Sequence, residues 1–200
     1  MKHYCRNCDL CINARSQLKA ESKDNPHILF LFDCPNHSQN AKGEFFAGKN
    51  MTLFRDMVKH YGLFTYSAFN TIMKCRPKTN DLREFKDMEL HLYNCSQYHF
   101  IPEFEGMASK LQLIVTFGKF AYKYISGNNV VYMNEWNELL FKYQEVGDFV
   151  ILPLPALTTL INEDLLNDAI KSVYKHYADN INWSHKYYTV PREILKGEKV

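Results

Sequence analysis

Four short apolar runs, rich in β-branched and aromatic residues, recur along the chain without alternating between apolar and polar positions. Continuous apolar runs of this length are typical of strands that are buried on both faces, as in a parallel sheet. The pattern therefore predicts four strands: HILFLF at 27–32, YSAFNTI at 66–72, LQLIVTF at 111–117 and DFVILPL at 148–154.

Helical periodicity fills the segments between these runs. Residues 50–61 repeat apolar side chains every three or four positions behind Asn50, a residue type that caps helix N-termini. Further helices are predicted at 83–100, at GKFAYKYI directly after the third run, and at 161–178. Strands that alternate with helices indicate an α/β fold, a three-layer α/β/α sandwich around a central four-stranded parallel sheet.

Length and composition fit one globular domain. The chain has 200 residues, of which 46% are hydrophobic and 14% aromatic, so one sizeable core can be buried but two domains would be small. We expect a single domain over residues 1–180 and a polar C-terminal tail over residues 181–200.

Charge and hydropathy narrow the classes of function. Lys and Arg number 24 against 22 Asp and Glu, so DNA binding would need a local basic patch. No apolar run reaches the roughly 20 residues of a membrane span, and MKHYCRNC lacks the apolar segment of a secretory signal. We therefore expect a cytoplasmic protein without a membrane partner. Its many Lys, Asn, Tyr and Phe residues suggest an AT-rich genome, bacterial or of a phage in an infected cell.

Ligands of open α/β sheets bind beyond the carboxyl ends of the strands, where the connecting loops gather. Here those loops read FDCPNH, KCRPKTND, FGK and PLPALTTL. Cations in them are predicted to contact DNA phosphates, although a merely solvated loop surface would contain the same residues. These cations are Lys74, Arg76, Lys78 and Lys119.

The six cysteines are expected to be reduced in a cytosolic protein, so disulfides are a poor explanation for them. Cys5 and Cys8 have the C-x2-C spacing that allows two thiolates to bind one metal centre. Any further ligands must come from farther along the chain, where Cys75 and Cys95 are the candidates. Burial in the core is the alternative for each of these thiols.

Several short motifs occur together in a recognisable order. They are CRNCDLC, ILFLFDCPN, GEFFAG, NTIMKCRPKTN, a later cysteine, VTFGKFA and LPLPALTTL. In this order the chain resembles the iron–sulfur uracil-DNA glycosylases, called family four, over roughly residues 5–160. The resemblance implies the α/β/α fold of that superfamily, single- or double-stranded DNA as the partner, and excision of uracil or a modified pyrimidine.

The resemblance also implies a cofactor. It assigns a [4Fe-4S] cluster to Cys5, Cys8, Cys75 and Cys95, with zinc as the alternative metal. The spacing from Cys75 to Cys95 exceeds the spacing usual in the family by a few residues, about one helical turn. A helix at this point would still allow the Cys95 thiol to face the other three.

For the base, the resemblance implies a pocket made by two motifs. Phe46 in GEFFAG would stack on an extruded uracil, and the amide of Asn70 would read its edge. Cys34 falls in the loop that would line the same pocket. A core aromatic and a strand-end turn residue are the alternative interpretations of Phe46 and Asn70.

At the catalytic positions the chain departs from the family. FDCPN stands where the family has GEAPG, so Asp33 replaces a glutamate, and Leu154 stands where the family has a histidine that would hydrogen-bond the departing uracil. Losing such a donor commonly costs about a hundredfold or more in rate. Leu157, three residues on, would wedge into DNA at the extruded base, or else pack inward.

Three functions follow from these features. The first is a uracil-DNA glycosylase-like enzyme that hydrolyses the N-glycosidic bond of a flipped-out base. The second is a catalytically inactive protein of the same fold that binds DNA or serves a replication or transcription protein. The third, a different metalloprotein, is disfavoured by the strand–helix order together with Phe46 and Asn70.

Overall fold

The computed structural model describes residues 5, 8, 10, 14, 17–77, 88–127, 133–160 and 162–180. Within these residues the strands are β1 (Glu21–Ser22), β2 (Ile28–Phe32), β3 (Ser67–Thr71), β4 (Leu113–Phe117), β5 (Gln144–Val146) and β6 (Phe149–Leu154). The α-helices are α1 (His37–Lys42), α2 (Lys49–His60), α3 (Met88–Cys95), α4 (Ile101–Ala108), α5 (Lys119–Ser126), α6 (Met133–Leu139) and α7 (Glu163–Asn180). A π-helical turn, Ser96–Phe100, joins α3 to α4.

The strands form one sheet in the order β1-β3-β2-β4-β6-β5. The four central strands are parallel, whereas β1 and β5 add antiparallel edges. The predicted α/β class and all four predicted strands are thus confirmed, but the sheet has six strands instead of four. The two edge strands have only two and three residues, too few to produce a hydrophobic pattern.

Both faces of the central sheet are covered, which explains the absence of alternation in the sequence. Every residue of β2, β3 and β4 is buried. On one face, side chains such as Phe30 and Phe69 pack with α2 and α7 in a cluster that we call the first core. On the other face, residues such as Leu31 pack with α3 to α6 in the second core. The result is the expected three-layer sandwich.

Helix α2 begins slightly earlier than predicted. Gly48, not Asn50, is its N-cap, with φ of +93°. A Cβ atom at this glycine would lie 2.8 Å from the Ser38 side chain, so both the backbone conformation and the contact with α1 favour glycine. The helix predicted at 83–100 corresponds to α3 and the π-helical turn, while residues 83–87 lie outside the described residues. Sequence patterns did not predict the short helices α1, α4 and α6. The predicted tail, residues 181–200, lies outside the described residues.

Candidate active site

The four central strands end in one row, which we call the carboxyl edge. The sheet register pairs Phe32 with both Thr71 and Phe117, and pairs Phe117 with Leu154. The loops that leave these positions contain most of the predicted site residues. The chemistry of the site therefore depends on how these side chains are arranged at the carboxyl edge.

Asp33 follows β2 and is held against the first turn of α5. Its Oδ1 atom accepts the backbone N–H of Ala121 at 2.6 Å. Burial raises the pKa of Asp33 to about 7, while the N–H donors of Ala121 and Phe120 act in the opposite direction by favouring the carboxylate. A carboxyl group that titrates near neutral pH is suited to accept a proton from water.

Gly118 allows this close approach of the carboxyl group to the helix. It is the N-cap of α5, with φ of +111°, and a Cβ atom there would overlap the Asp33 carboxyl group. Its own N–H donates to the carbonyl oxygen of Leu154 at 3.1 Å. Gly118 directly follows β4 and thus contacts both the residue after β2 and the last residue of β6.

Phe46 lies half-buried at the rim of the first core. Its ring centroid is 4.9 Å from that of Phe69, in an edge-to-face arrangement. The loop is anchored on both sides, because the Gln39 amide donates to the Phe45 carbonyl oxygen and the Thr52 hydroxyl donates to the Phe46 carbonyl oxygen. Phe46 is therefore presented by a fixed loop.

Asn70 does not lie beside Phe46. It precedes Thr71 and follows Phe69, and since strand side chains alternate, it projects into the second core while Phe69 contacts Phe46. The Asn70 side chain is fully buried and its amide is occupied. Its Nδ2 donates to Glu103 Oε2 at 3.1 Å, and its Oδ1 accepts from Lys74 Nζ and from the Thr71 N–H. The two side chains predicted to bind one base thus point to opposite faces of the sheet.

Lys74 corrects a second expectation, the predicted contact with DNA phosphate. Its side chain is only 1% exposed, and its Nζ forms an ion pair with Glu103 Oε2. Burial lowers the pKa of Lys74, and the Glu103 carboxylate opposes that change. The loop turns inward here because the Lys74 N–H donates to Cys95 Sγ and its carbonyl oxygen accepts from Leu18.

The other predicted DNA contacts that the structure describes lie nearer the surface than Lys74 does. Arg76 and Lys119 are half-buried, and Lys78 is outside the described residues. Leu157 is half-buried against the first core, whereas Leu160 is in its interior. Leu154 is fully buried, so its side chain is an apolar end to β6.

Four of the cysteines lie in or near the second core. Cys75 and Cys95 are buried there and Cys8 packs against the same cluster. The pKa of Cys95 is raised to about 11, mainly by burial; the Lys74 N–H and ammonium group oppose this change, and the nearby Cys8 and Cys5 contribute to it. Cys95 ends α3 where the π turn begins, a device that redirects side chains along a helix.

The thiol set has the right chemistry for an iron–sulfur cluster, and the Lys74 N–H is the kind of donor that such sulfurs accept. In the described part of the chain, however, no three His, Cys, Asp or Glu side chains have the arrangement of a metal site. Cys34 packs against the same core, but it follows Asp33 in the loop after β2. Burial, and to a lesser degree Asp33, raises the pKa of Cys34 to about 12.

The sequence comparison agrees with the motifs. A Type-4 uracil-DNA glycosylase of Archaeoglobus fulgidus is 28% identical to the chain over 122 residues. The chain resembles the Type-4 uracil-DNA glycosylases. The aligned residues make up 60% of the chain and 58% of that relative, so the chain spans less than two thirds of the relative's length. No protein-family profile matches the chain.

Sequence reasoning missed three residues of this site. Gly118 stands within the VTFGKFA motif, but its contact with Asp33 depends on the fold. Thr71 directly follows Asn70, and only the strand geometry shows that it lies on the sheet face of the first core. Glu103 had no signal in the sequence, because it meets Lys74 from a distant helix.

Among the described helices, none is long and apolar enough to cross a membrane.

Proposed function

We propose that the protein binds DNA with one base extruded and hydrolyses the N-glycosidic bond of a uracil-type base. The observation that carries this proposal is the position of Asp33. Its carboxyl group lies at the carboxyl edge, is fixed by the N–H of Ala121, and has its pKa raised by burial to about 7. The resemblance to a Type-4 uracil-DNA glycosylase supports the choice of substrate.

The reaction needs few protein groups. A water molecule adds to C1′ of the sugar and transfers a proton to the Asp33 carboxylate, while the C1′–N1 bond breaks and its electron pair leaves with the base. Phe46 would stack on the extruded base, and Leu157 would occupy the space that it leaves in the DNA. Arg76 and Lys119 would contact phosphates.

The step of this reaction that the protein supports least is the departure of the base. Negative charge develops on it, and the apolar side chain of Leu154 at the end of β6 cannot donate a hydrogen bond to it. Removing one such donor typically lowers kcat by about 10²–10³. We therefore propose slow excision. The second candidate function, favoured by the same leucine, is DNA binding without catalysis, as an accessory to replication or transcription.

We also propose that Cys5, Cys8, Cys75 and Cys95 hold a [4Fe-4S] cluster, with zinc as the alternative. The assignment is supported by the position of Cys75 and Cys95 in the second core, with Cys8 packed against that core and Cys5 near enough to influence Cys95. When bound, the cluster would join the N-terminal segment to α3 and to the loop after β3, thereby stabilising the fold.

The decisive experiment is incubation of the purified protein with single-stranded and duplex DNA containing uracil or 5-hydroxymethyluracil, followed by alkaline cleavage of abasic sites. Slow strand cleavage is expected, which Asp33→Asn abolishes and Leu154→His accelerates. Intact DNA binding with no cleavage by either wild type or Leu154→His would reject the enzyme and leave the binding protein.

A further inference from the structure

Thr71 ends β3 at the carboxyl edge, and its side chain faces the first core. It is paired in register with Phe32 and lies two residues after Phe69, so it shares the sheet face of both. The Phe69 ring contacts Phe46, and the Phe32 ring contacts Phe45 at a centroid distance of 5.9 Å. Thr71 is thus a polar residue at the carboxyl end of a face that is lined mainly by apolar side chains, several of them aromatic.

The Thr71 hydroxyl is buried and unpaired. The residue is 1% exposed, and among the residues that the structure describes, its Oγ1 atom finds no hydrogen-bond partner. Buried polar atoms in folded proteins are nearly always paired, and an unpaired one is unfavourable. A hydroxyl left unpaired on the sheet face whose Phe69 ring contacts Phe46 is explained if a ligand supplies its partner.

We propose that Thr71, and not Asn70, contacts the edge of the extruded base. This inference rests on the proposed function, since it assumes that Phe46 stacks on a base. Asn70 cannot take this part, because its amide is bonded to Glu103 and Lys74 on the opposite face of the sheet.

A threonine at this position changes which bases are accepted. A hydroxyl group rotates, so it can donate to the O4 carbonyl of uracil or accept from the N4 amino group of cytosine. A fixed amide would distinguish these two edges, whereas a free hydroxyl does not. The site therefore accepts pyrimidines with either a carbonyl or an amino group at position 4.

The test measures binding of the full-length protein to fluorescent duplexes with one central variable position. That position holds 2′-fluoro-deoxyuridine, 2′-fluoro-deoxycytidine or a tetrahydrofuran abasic analogue, and the fluorinated sugars resist cleavage. Wild type is expected to bind both pyrimidines more tightly than the abasic analogue, with the two pyrimidines within about threefold of each other. In Thr71→Val, both pyrimidines should lose about three- to tenfold in affinity while abasic binding stays unchanged.

Two further variants separate the hydroxyl from general effects. Thr71→Ser keeps the hydroxyl and should keep the pyrimidine preference. Thr116→Val is the matched control, because the Thr116 hydroxyl is also buried and unpaired within the described residues but lies on the opposite face, paired in register with Leu31. This variant should bind all three duplexes as wild type does.

The possible failures are distinct. If wild type binds the pyrimidine and abasic duplexes equally, the base pocket and thus the proposed function are wrong. If wild type prefers pyrimidines and Thr71→Val retains that preference, the pocket stands and the assignment of Thr71 is overturned. A preference of wild type for uracil over cytosine well above about tenfold would overturn the relaxed reading of the base edge.

Discussion

At the scale of single residues, burial shifts the pKa of two side chains, Asp33 and Lys74. Each is an ionisable side chain in a loop that follows a strand of the central sheet, and each is largely shielded from water. Asp33 is compensated by backbone N–H donors, whereas Lys74 is compensated by a carboxylate and an amide. The two groups should therefore affect the free energy of unfolding in different ways.

Asp33 should make folding stability depend on pH. Its pKa rises from 3.8 to about 7 on folding, so between these values the folded protein holds a proton that the unfolded chain has lost. The free energy of unfolding contributed by this group is thus full below the unfolded pKa and falls as pH rises through the folded pKa. Asp33→Asn should remove this slope.

The measurement is urea unfolding of both proteins below, within and above that pH window. Asp24→Asn, at an exposed carboxyl group, controls for the change in charge. A difference between wild type and Asp33→Asn that does not vary with pH would contradict a raised pKa at Asp33.

The Lys74–Glu103 ion pair should be asymmetric when it is broken. The Lys74 side chain is 1% exposed and that of Glu103 is 31% exposed. Glu103→Gln leaves a buried ammonium without this counter-charge and should lower the free energy of unfolding by about 3 kcal/mol. Lys74→Met leaves a carboxylate that water can still reach, so the loss should be only about 1 kcal/mol.

Urea unfolding of the two single variants and of the double variant Lys74→Met/Glu103→Gln checks this asymmetry. The double variant should recover part of the loss seen in Glu103→Gln, since it no longer contains a buried charge. Equal losses in the two single variants would show that Lys74 is not the buried partner.

At the scale of elements, helix α5 is fixed by the two glycines at its ends. Gly118 has φ of +111° and faces the Asp33 carboxyl group, whereas Gly127 has φ of +67° and open space where a Cβ atom would lie. Both positions favour glycine for their backbone conformation. Only Gly118 is also required for a contact at the site.

Alanine substitutions at the two glycines should therefore differ in cost. Gly127→Ala should lower the free energy of unfolding by about 1 kcal/mol, the cost of the left-handed backbone alone. Gly118→Ala should cost roughly 3 kcal/mol, because overlap with Asp33 adds to the backbone term.

Thermal and urea unfolding give these values. In Gly118→Ala the pH dependence that Asp33 confers should also weaken, because the displaced carboxyl group is less buried and burial is what raises its pKa. Equal costs for the two alanines would mean that Asp33 does not pack on Gly118.

At the scale of the whole molecule, the four cysteines proposed as ligands come from segments that are far apart in the chain. Cys5 and Cys8 precede the first strand, Cys75 follows β3, and Cys95 ends α3. A cluster bound by these four thiols would close long loops and stabilise the folded state in proportion to its affinity.

The purified protein should therefore contain iron and acid-labile sulfide and show the broad visible absorption of an iron–sulfur cluster. Cys75→Ser should lose the iron and unfold at a lower temperature, whereas Cys34→Ser, at a thiol outside the set, should keep the iron. Iron analysis, sulfide analysis and thermal unfolding measure these effects. A colourless, zinc-containing protein would disprove the iron–sulfur assignment.

Much of the fold follows from the sequence. The four central strands are predictable because burial on both faces requires continuous apolar runs, and α2, α5 and α7 because their apolar residues repeat at helical spacing. The edge strands β1 and β5 are not predictable, since strands of two or three residues are fixed by their neighbours and not by a pattern of their own.

The sequence by itself determined the class of fold, the central strands and the motifs that gather at the carboxyl edge. Only the tertiary structure decided which face each side chain occupies. Because every position of β3 is buried, its sequence carries no alternation that would separate the direction of Asn70 from that of Thr71. The distant Glu103 likewise decides that Lys74 lies inside, because an ion pair between remote segments exists only once the chain has folded.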